Sequence, residues 1–562
     1  MPLVLGRAPM DTAEGKSVSA ITGTRGSSSK MLVLAAMIFA VAMTFIDQTI
    51  VSIAVPKIQA ELHLSINSVQ WVVNGYLLAL ASTFAFGGRL ADSVGHRKMV
   101  IIGIGVFTLA SIACGLTPST GTPAAAWIIT WRVIQGVGGA IMYPAALAIV
   151  VSAFPVRERG RAMAIFFGVA GGLTAIGPIL GGYLSEWTWR AIFWVNVPVA
   201  IIALALTFAA RPVTQIRPGR LDWRGLVLIA GGVGLAVYGL QQTQVWGWSN
   251  ATVISCMVLG VLLLVAFFRV EARTPGPLID VSVFRIRAFR VQNIVLFVSM
   301  IVFIPIFFFA SIYAQVALGD GPQGAGLYLL LFFFGFAPGV QIGGRRLDRS
   351  GAKEVVVAGC AIAALGLALW GSRVTQLSLG HQWYFILIAG FGMGMMLGPS
   401  NTDAINQVGR LSYGEATGVT QTTRNFGASF GLAALGTLLV TVEKSHLTTR
   451  LENLGLPPGA AHSTASKFAT THQSAAPAGV NPAFAARVFH AAQLSVANGM
   501  QAVLFAMAGG MALAAVVAVT GLRRGIQAAP DAQLASASQL SDAPQASDGQ
   551  RPSEEDRPAG RT

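Results

Sequence analysis

The chain has 562 residues, 54% of them hydrophobic and only 11% charged, where an ordinary soluble protein carries about 25% charged residues. A bilayer-crossing helix needs roughly 20 mostly apolar residues, so this composition excludes a soluble multidomain enzyme and accommodates many spans. Lys and Arg outnumber Asp and Glu, 38 to 23, for a net charge of +15, and the placement of those charges decides between nucleic acid and membrane as the partner.

Residues 1–30 are small and polar, with Arg7, Lys16, Arg25 and Lys30. They lack the apolar core of a cleaved signal peptide and read as a cytoplasmic tail. Apolar runs of spanning length then follow at 31–55, 69–89, 98–116, 124–153, 161–185, 190–209, 223–243 and 251–270. Six more lie at 288–317, 324–344, 354–372, 382–404, 414–442 and 497–522, making fourteen. Residues 443–496, rich in Ala, Ser, Thr and His, read as a long outer loop whose end, Pro482 to Asn498, leads as a helix into the last span. The last stretch, 523–562, has few apolar anchors and reads as a disordered cytoplasmic tail.

An even number of spans puts both termini on one side, and the positive-inside rule selects the cytoplasm. In that orientation the inner segments hold 29 of the 38 Lys and Arg. The outer segments hold Lys57, Arg190, Arg373, Lys444, Arg450, Lys467 and Arg487. Basic charge spread over short inner loops fits anionic lipid and no nucleic acid. Trp71, Trp127, Trp187, Trp189, Trp246, Trp248, Trp370 and Trp383 fall near expected outer ends, as an interfacial belt would. Cys114, Cys256 and Cys360 are scattered among apolar runs and form neither a disulfide framework nor a metal cluster, so no metal and no cofactor is expected.

A repeat organises the chain. Gly87-Gly88-Arg89-Leu90-Ala91-Asp92 and the following Gly95 recur as Gly343-Gly344-Arg345-Arg346-Leu347-Asp348 and Gly351, 256 positions later. The same offset carries Gly136 and Gly138 to Gly392 and Gly394. The reading is an all-α polytopic membrane protein of two pseudo-symmetric six-helix bundles, 31–210 and 288–522, with two extra, peripheral linking spans in 211–287. Transporters built this way place the substrate between the halves near the midplane.

The stretch from Gly88 to Lys98 resembles the loop motif of the major facilitator superfamily. Arg132-Val-Ile-Gln135-Gly136-Val-Gly138 is similar to its second motif, and Gly177-Pro178-Ile-Leu-Gly181-Gly182 to the motif of its antiporters. Asp47 within Ile46-Asp47-Gln48-Thr49, Asn196-Val197-Pro198, and Leu221-Asp222-Trp223-Arg224-Gly225 narrow the resemblance to the fourteen-helix drug:proton antiporter (multidrug efflux) subfamily. Ser93 and His96 depart from the pattern, standing where the family usually has basic residues. The resemblance implies a major facilitator fold, a proton-gradient energy source, and small lipophilic substrates exported from the cell by a transporter that is not an enzyme.

Particular residues then acquire expected roles. Asp47 lies deep in the first span, where an ionised carboxylate is costly and so usually faces a wet cavity; it suits a group that alternately holds a proton and attracts a cationic substrate. Arg132 in span 4 cannot be neutralised and needs acceptors. The resemblance assigns it, with Gln135 in the same motif, to proton coupling. Arg424 lies within Thr420-Gln421-Thr422-Thr423-Arg424-Asn425, a polar face on an apolar span, and is a cavity-lining candidate. Gly177, Pro178, Gly181 and Gly182 make span 5 closely packable and kinked, as a gating helix between rocking halves requires. The inner loop is a second gating candidate. Gly88 and Gly95 permit tight turning, and Asp92 can accept from helix N-terminal amides of the opposite half, a contact that would hold the cytoplasmic side closed in one state and release it in the other. Arg97 belongs to the same gate or serves as topology charge. Asp403 reads as an interfacial cap, and the Phe307–Phe309 and Phe332–Phe334 runs as mostly lipid-facing. An uptake permease for a small metabolite would share the fold, but without the Gly-Pro-Gly-Gly pattern of span 5. A membrane enzyme or sensor would need a catalytic or metal constellation. Monomer is the working assembly.

Overall fold

A computed structural model describes residues 27–118, 122–154, 156–212, 222–275, 277–279, 281–408, 413–472 and 482–525. The tail 526–562 and all but the last residues of 1–30 lie outside them. Among the described residues there is no strand. In lipid every backbone amide must be satisfied within its own segment, which leaves the helix as the one solution for a chain of apolar runs.

The helices are α1 (Ser27–Glu61), α2 (Ile66–Val94), α3 (His96–Gly115), α4 (Thr122–Ala153), α5 (Val156–Trp187), α6 (Ala191–Trp194) and α7 (Asn196–Ala210). They continue with α8 (Trp223–Trp246), α9 (Ala251–Glu271), α10 (Arg287–Ile312), α11 (Pro322–Ser350), α12 (Ala352–Arg373) and α13 (Trp383–Asn406). The last are α14 (Tyr413–Asn453), α15 (Pro458–Thr471) and α16 (Pro482–Gly521). Among the described residues thirteen segments are long and apolar enough to cross a bilayer, α6 and α7 together forming one of them. The 32-residue α5 stands in the place of the fifth span.

The repeat is visible in the helix boundaries. α2 and α11 begin and end 256 positions apart, and α3 and α12 begin at the same offset. Gly95 (φ +110°) and Gly351 (φ +83°) each end one helix and open the next, in a backbone region that disfavours side chains. α2 packs on α4 and α1 on α5 and α7 in the N-terminal half; α11 packs on α13, and α10 on α14 and α16, in the C-terminal half. The halves meet where α2 lies along α14 and α5 along α11.

Local signals fix the ends. Ser65 accepts from the Ser68 amide to cap α2, Asp222 from the Gly225 amide to cap α8, and Asn250 from the Thr252 amide to cap α9. The expected loop 443–496 is largely helical instead. α14 continues to Asn453, because its polar extension is covered by α15, whose Ala461, Ala465, Phe468 and Ala469 are buried on one face. Residues 473–481 lie outside the described residues, and the expected helix from Pro482 into the last span is present as α16.

Three other expectations are corrected. Trp189 and Trp370, expected in an interfacial belt, are fully buried among helices and expose no ring to a membrane surface. Trp370 donates to Tyr328 Oη (3.0 Å), within a network in which Gln382 accepts from Tyr328 and donates to Tyr313, so its indole is satisfied inside the bundle. The phenylalanine runs also point inward. Phe307, Phe308, Phe309, Phe332 and Phe333 are buried and only Phe334 is exposed, with Phe307 and Phe333 stacked at 5.1 Å. In the C-terminal half these rings fill space between helices that small residues bring together. Finally, the linking spans are not both peripheral. α9 exposes most of its surface, but α8 reaches into the junction of the halves: its Gln241 accepts from Asn74 of α2 (2.8 Å) and its Thr243 hydroxyl bonds Thr437 of α14 (3.1 Å).

Candidate functional site

The Arg-Val-Ile-Gln-Gly-Val-Gly sequence explains its own geometry. Gly136 lets α4 approach α2 so closely that a methyl there would meet the Tyr76 carbonyl at 2.5 Å, and Gly138 does the same toward Phe107 of α3 at 2.7 Å. The helices held by these contacts enclose Arg132 and Gln135. Arg132 and Asp47 are essentially without solvent exposure, and the guanidinium donates to Asp47 Oδ2 at 2.6 Å. It also donates to Gln135 Oε1 (2.7 Å) and, through Nε, to the Val72 carbonyl (2.8 Å), with its plane 4.4 Å from the Tyr76 ring centroid. Gln135 Nε2 in turn donates to Asp47 Oδ1 (3.1 Å) and Ser111 Oγ (2.9 Å), and Asn196 Nδ2 donates to the same hydroxyl (2.8 Å). Five helices of one half, α1, α2, α3, α4 and α7, therefore supply the cluster around one buried ion pair. Such a pair survives desolvation only when further donors and acceptors around it are filled, as Arg132 Nε and Nη1 and both Asp47 carboxylate oxygens are here.

The position of Asp47 differs from the expectation that it faces the space between the halves. Its neighbour Gln48 does face that space. A small cavity there, with room for about one water (about 20 Å³), is lined from the N-terminal half by Gln48, Phe84 and Tyr143 and from the C-terminal half by Met300, Gln421 and Arg424. Because residues one apart on a helix point about 100° away from each other, the carboxylate turns into its own bundle and the amide into the cavity. Asp47 thus does not present itself to a cationic solute. Arg424 lines the cavity as expected and donates to Gln421 Oε1 (2.9 Å), and Gln421 Nε2 reaches across the halves to Tyr143 Oη (2.6 Å).

The gating candidates divide. Gly181 lets α5 approach α1, where a methyl would meet the Ile50 carbonyl at 3.0 Å, and Gly177 sits against Thr49. Gly182 faces the other half: a methyl there would lie 2.9 Å from the Pro322 carbonyl, and one on Gly326 of α11 would lie 2.5 Å from the Pro178 carbonyl. The motif thus places α5 between α1 and α11. Apart from the Gln421–Tyr143 bond at the cavity, the hydrogen bonds that join the halves among the described residues include several toward the end that the charge count assigns to the outside: Gln315 Nε2 to the Ile53 carbonyl (2.9 Å), Ser429 Oγ to Asn74 Oδ1 (2.6 Å) and Gln59 Nε2 to the Thr470 carbonyl (3.3 Å). The structure is closed at that end.

The inner-loop expectations are corrected in part. Gly95 does form the turn, but Gly88 is an interior residue of α2 with ordinary contacts, and the close approach belongs to Gly87 against the Ala140 carbonyl. Asp92 pairs with His96 one turn later (3.0 Å) and not with the opposite half, so the histidine that departs from the family pattern is the carboxylate's partner. Arg97 lies over Phe208 of its own half, 5.8 Å from the ring centroid. Asp403 accepts from Gln292 (2.6 Å) and Gln407 (3.0 Å), bracing α13 against α10.

Sequence reasoning missed Gln48, Tyr143, Ser111 and the Asn74–Gln241–Ser429 cluster. The available signal was a polar side chain in an otherwise apolar run, which in a membrane marks an interior position.

Comparison with known proteins agrees with this architecture. The Major Facilitator Superfamily profile matches residues 37–224 and 223–432. The chain is 32% identical to the tetracenomycin C resistance and export protein of Streptomyces glaucescens, over 92% of this chain and 95% of that one. It is 34% identical to the puromycin resistance protein of Streptomyces alboniger (74% and 82% covered) and 30% identical to the multidrug resistance protein Stp of Mycobacterium tuberculosis (75% and 78%). Among solved structures, the partially occluded inward-open xylose transporter XylE from E. coli superposes with a TM-score of 0.54 at 12% identity, covering 89% of this chain and 99% of that one. The POT family transporter PepTSo gives 0.57 at 14% identity, covering 92% and 100%. With this fold, this duplication and these matches, the chain belongs to the major facilitator superfamily of membrane transporters.

Proposed function

We propose that the protein is a proton-driven exporter of lipophilic, amphipathic small molecules, working by alternating access in the cell membrane with both termini in the cytoplasm. The observation that carries the coupling is the buried Asp47–Arg132–Gln135 cluster, whose first member adjoins the cavity-lining Gln48. The relatives named for export and resistance supply the direction of transport.

In the proposed cycle the closed outer end corresponds to the state that loads substrate from the cytoplasmic side, with Asp47 ionised and held by Arg132. Opening toward the outside brings a proton to Asp47. The neutral acid releases the guanidinium, which keeps Val72, Gln135 and the Tyr76 ring as partners and can therefore stay buried. Rotation of α1 that follows reshapes the wall at Gln48 and expels the solute. Return to the inward state gives the proton to the cytoplasm. Export then requires an outside-acid gradient and is independent of ATP; the chain holds no G-x-x-x-x-G-K-[ST] phosphate loop.

The test is dye flux in inverted vesicles, where the cytoplasmic face is outside. Acidifying the lumen is expected to drive dye inward in the wild type, and collapsing the gradient to stop it. Transport that persists without an ion gradient removes the antiport reading, and flux in the opposite direction identifies an uptake permease instead.

A further inference from the structure

The cavity between the halves contains one charged side chain, and it is a cation. Among the described residues Arg424 has a single hydrogen-bond partner, Gln421 Oε1, and its buried Nε has no acceptor. Among the described residues no carboxylate pairs with it. The nearest acid in sequence on the facing helix, Asp47, is turned into its own bundle and engaged by Arg132 and Gln135. A permanently charged guanidinium in low dielectric is stable only with acceptors around it, and Gln421 supplies one acceptor for a group with five donors.

The opposite wall is aromatic. Tyr143 of α4 packs on Phe45 (5.7 Å) and Phe84 (5.3 Å), and its hydroxyl accepts from Gln421 while keeping its own proton free to donate. The space in this form of the protein holds only about one water, so a solute enters as the halves part, and it would then meet ring faces from the N-terminal half and a cation from the C-terminal half.

We propose that the transported class is planar aromatic compounds carrying a carboxylate, phenolate or enolate, with the anionic oxygen bound by Arg424 and the rings lying against Phe45, Phe84 and Tyr143. This deepens the exporter reading and rests on its assignment of the inter-half cavity as the substrate site. It reverses the substrate charge anticipated from Asp47 alone. Bridging both walls also gives the solute a reason to hold the halves in register, since its two ends belong to different halves.

Fluorescein and rhodamine 6G share a xanthene ring system and carry opposite charge at pH 7.5, so they isolate the charge. Binding of each to the full chain in lipid nanodiscs, followed by fluorescence polarisation, is expected to favour fluorescein. Arg424→Gln should weaken fluorescein by about tenfold or more, the size of a lost charge-assisted hydrogen bond, and leave rhodamine 6G unchanged or improved. Arg424→Lys, which keeps the charge, should retain most of the fluorescein affinity; the wild-type preference itself needs no variant to fold. Tighter binding of rhodamine 6G, an unchanged fluorescein affinity in Arg424→Gln, or no fluorescein binding at all overturns the assignment. Gradient-driven flux separates the two readings. Rhodamine 6G efflux indifferent to Arg424→Gln keeps the exporter and removes this site, whereas Arg424-dependent fluorescein binding without flux in any gradient keeps the site and removes the exporter.

Discussion

At the scale of single residues, the buried pair is the most exacting feature. Removing one member of a buried ion pair costs about 3–5 kcal/mol because the other charge is left uncompensated. Asp47→Asn preserves size and still offers an acceptor to Arg132, so the variant is expected to reach the membrane, lose thermal stability and lose gradient-driven flux. Pairing it with Arg132→Gln should restore much of the stability and none of the flux, a split read by thermal unfolding alongside transport. Recovery of flux in the double variant would make the pair structural. Asp47 and Arg132 were legible in the sequence because an ionisable group within an apolar run advertises itself, and Gln135 because it shares a motif with Arg132. Their mutual partnership was not legible: it depends on Gly136 and Gly138 setting the depth of α4 between α2 and α3, a distance that helical periodicity does not encode. For the same reason Asp47 was expected at the cavity when its neighbour Gln48 occupies it.

At the scale of elements, the α5–α11 crossing and the α8 insertion hold the outer end shut. A methyl on Gly326 would press on the Pro178 carbonyl, across the halves, whereas one on Gly177 would press on Thr49 within a half. Gly326→Ala should therefore raise the energy of the outer-closed state by about 1–3 kcal/mol. A thiol at Ser311, buried in this state beside the Ile53 carbonyl, reports it. In a background lacking Cys114, Cys256 and Cys360, an impermeant maleimide should label Ser311→Cys faster when Gly326→Ala is added. The α8 contact makes a parallel prediction. Gln241→Leu leaves the Asn74 amide, buried beside Ser429, without its acceptor, a loss of about 1–3 kcal/mol, and should accelerate the same labelling. Unchanged labelling would return α8 to a passive linker. The span pattern and the 256-residue repeat made most helices readable. The role of α8 stayed hidden because Gln241, Gln242 and Thr243 at the end of an apolar run look like an interfacial terminus, and nothing local says that two other helices bury them. The phenylalanine runs misled in the opposite sense, since a helix apolar all round does not show which face meets protein.

At the scale of the whole molecule, the duplication offers two rigid halves with mirrored helix pairs, and the contacts between them are confined enough to be undone. α5 and α11 touch through glycines and backbone carbonyls, which interlock by shape and can part without breaking a covalent or ionic bond. If transport is a rocking of halves, fastening this seam must stop it. Glu186 at the end of α5 and Gly321 at the start of α11 are both exposed, and a methyl built on Gly321 lies 3.6 Å from Glu186 Oε2. Gly321 has φ −73°, so a side chain there meets no backbone strain. Glu186→Cys with Gly321→Cys, oxidised or bridged by a short thiol-specific reagent, should fold normally and lose flux, and regain it on reduction. Substrate binding from the cytoplasmic side should survive the crosslink, because only the outer end is fastened. Continued flux with the bridge formed would require the solute to leave without separation of α5 from α11, and a rigid-half mechanism would then give way to one in which single helices bend.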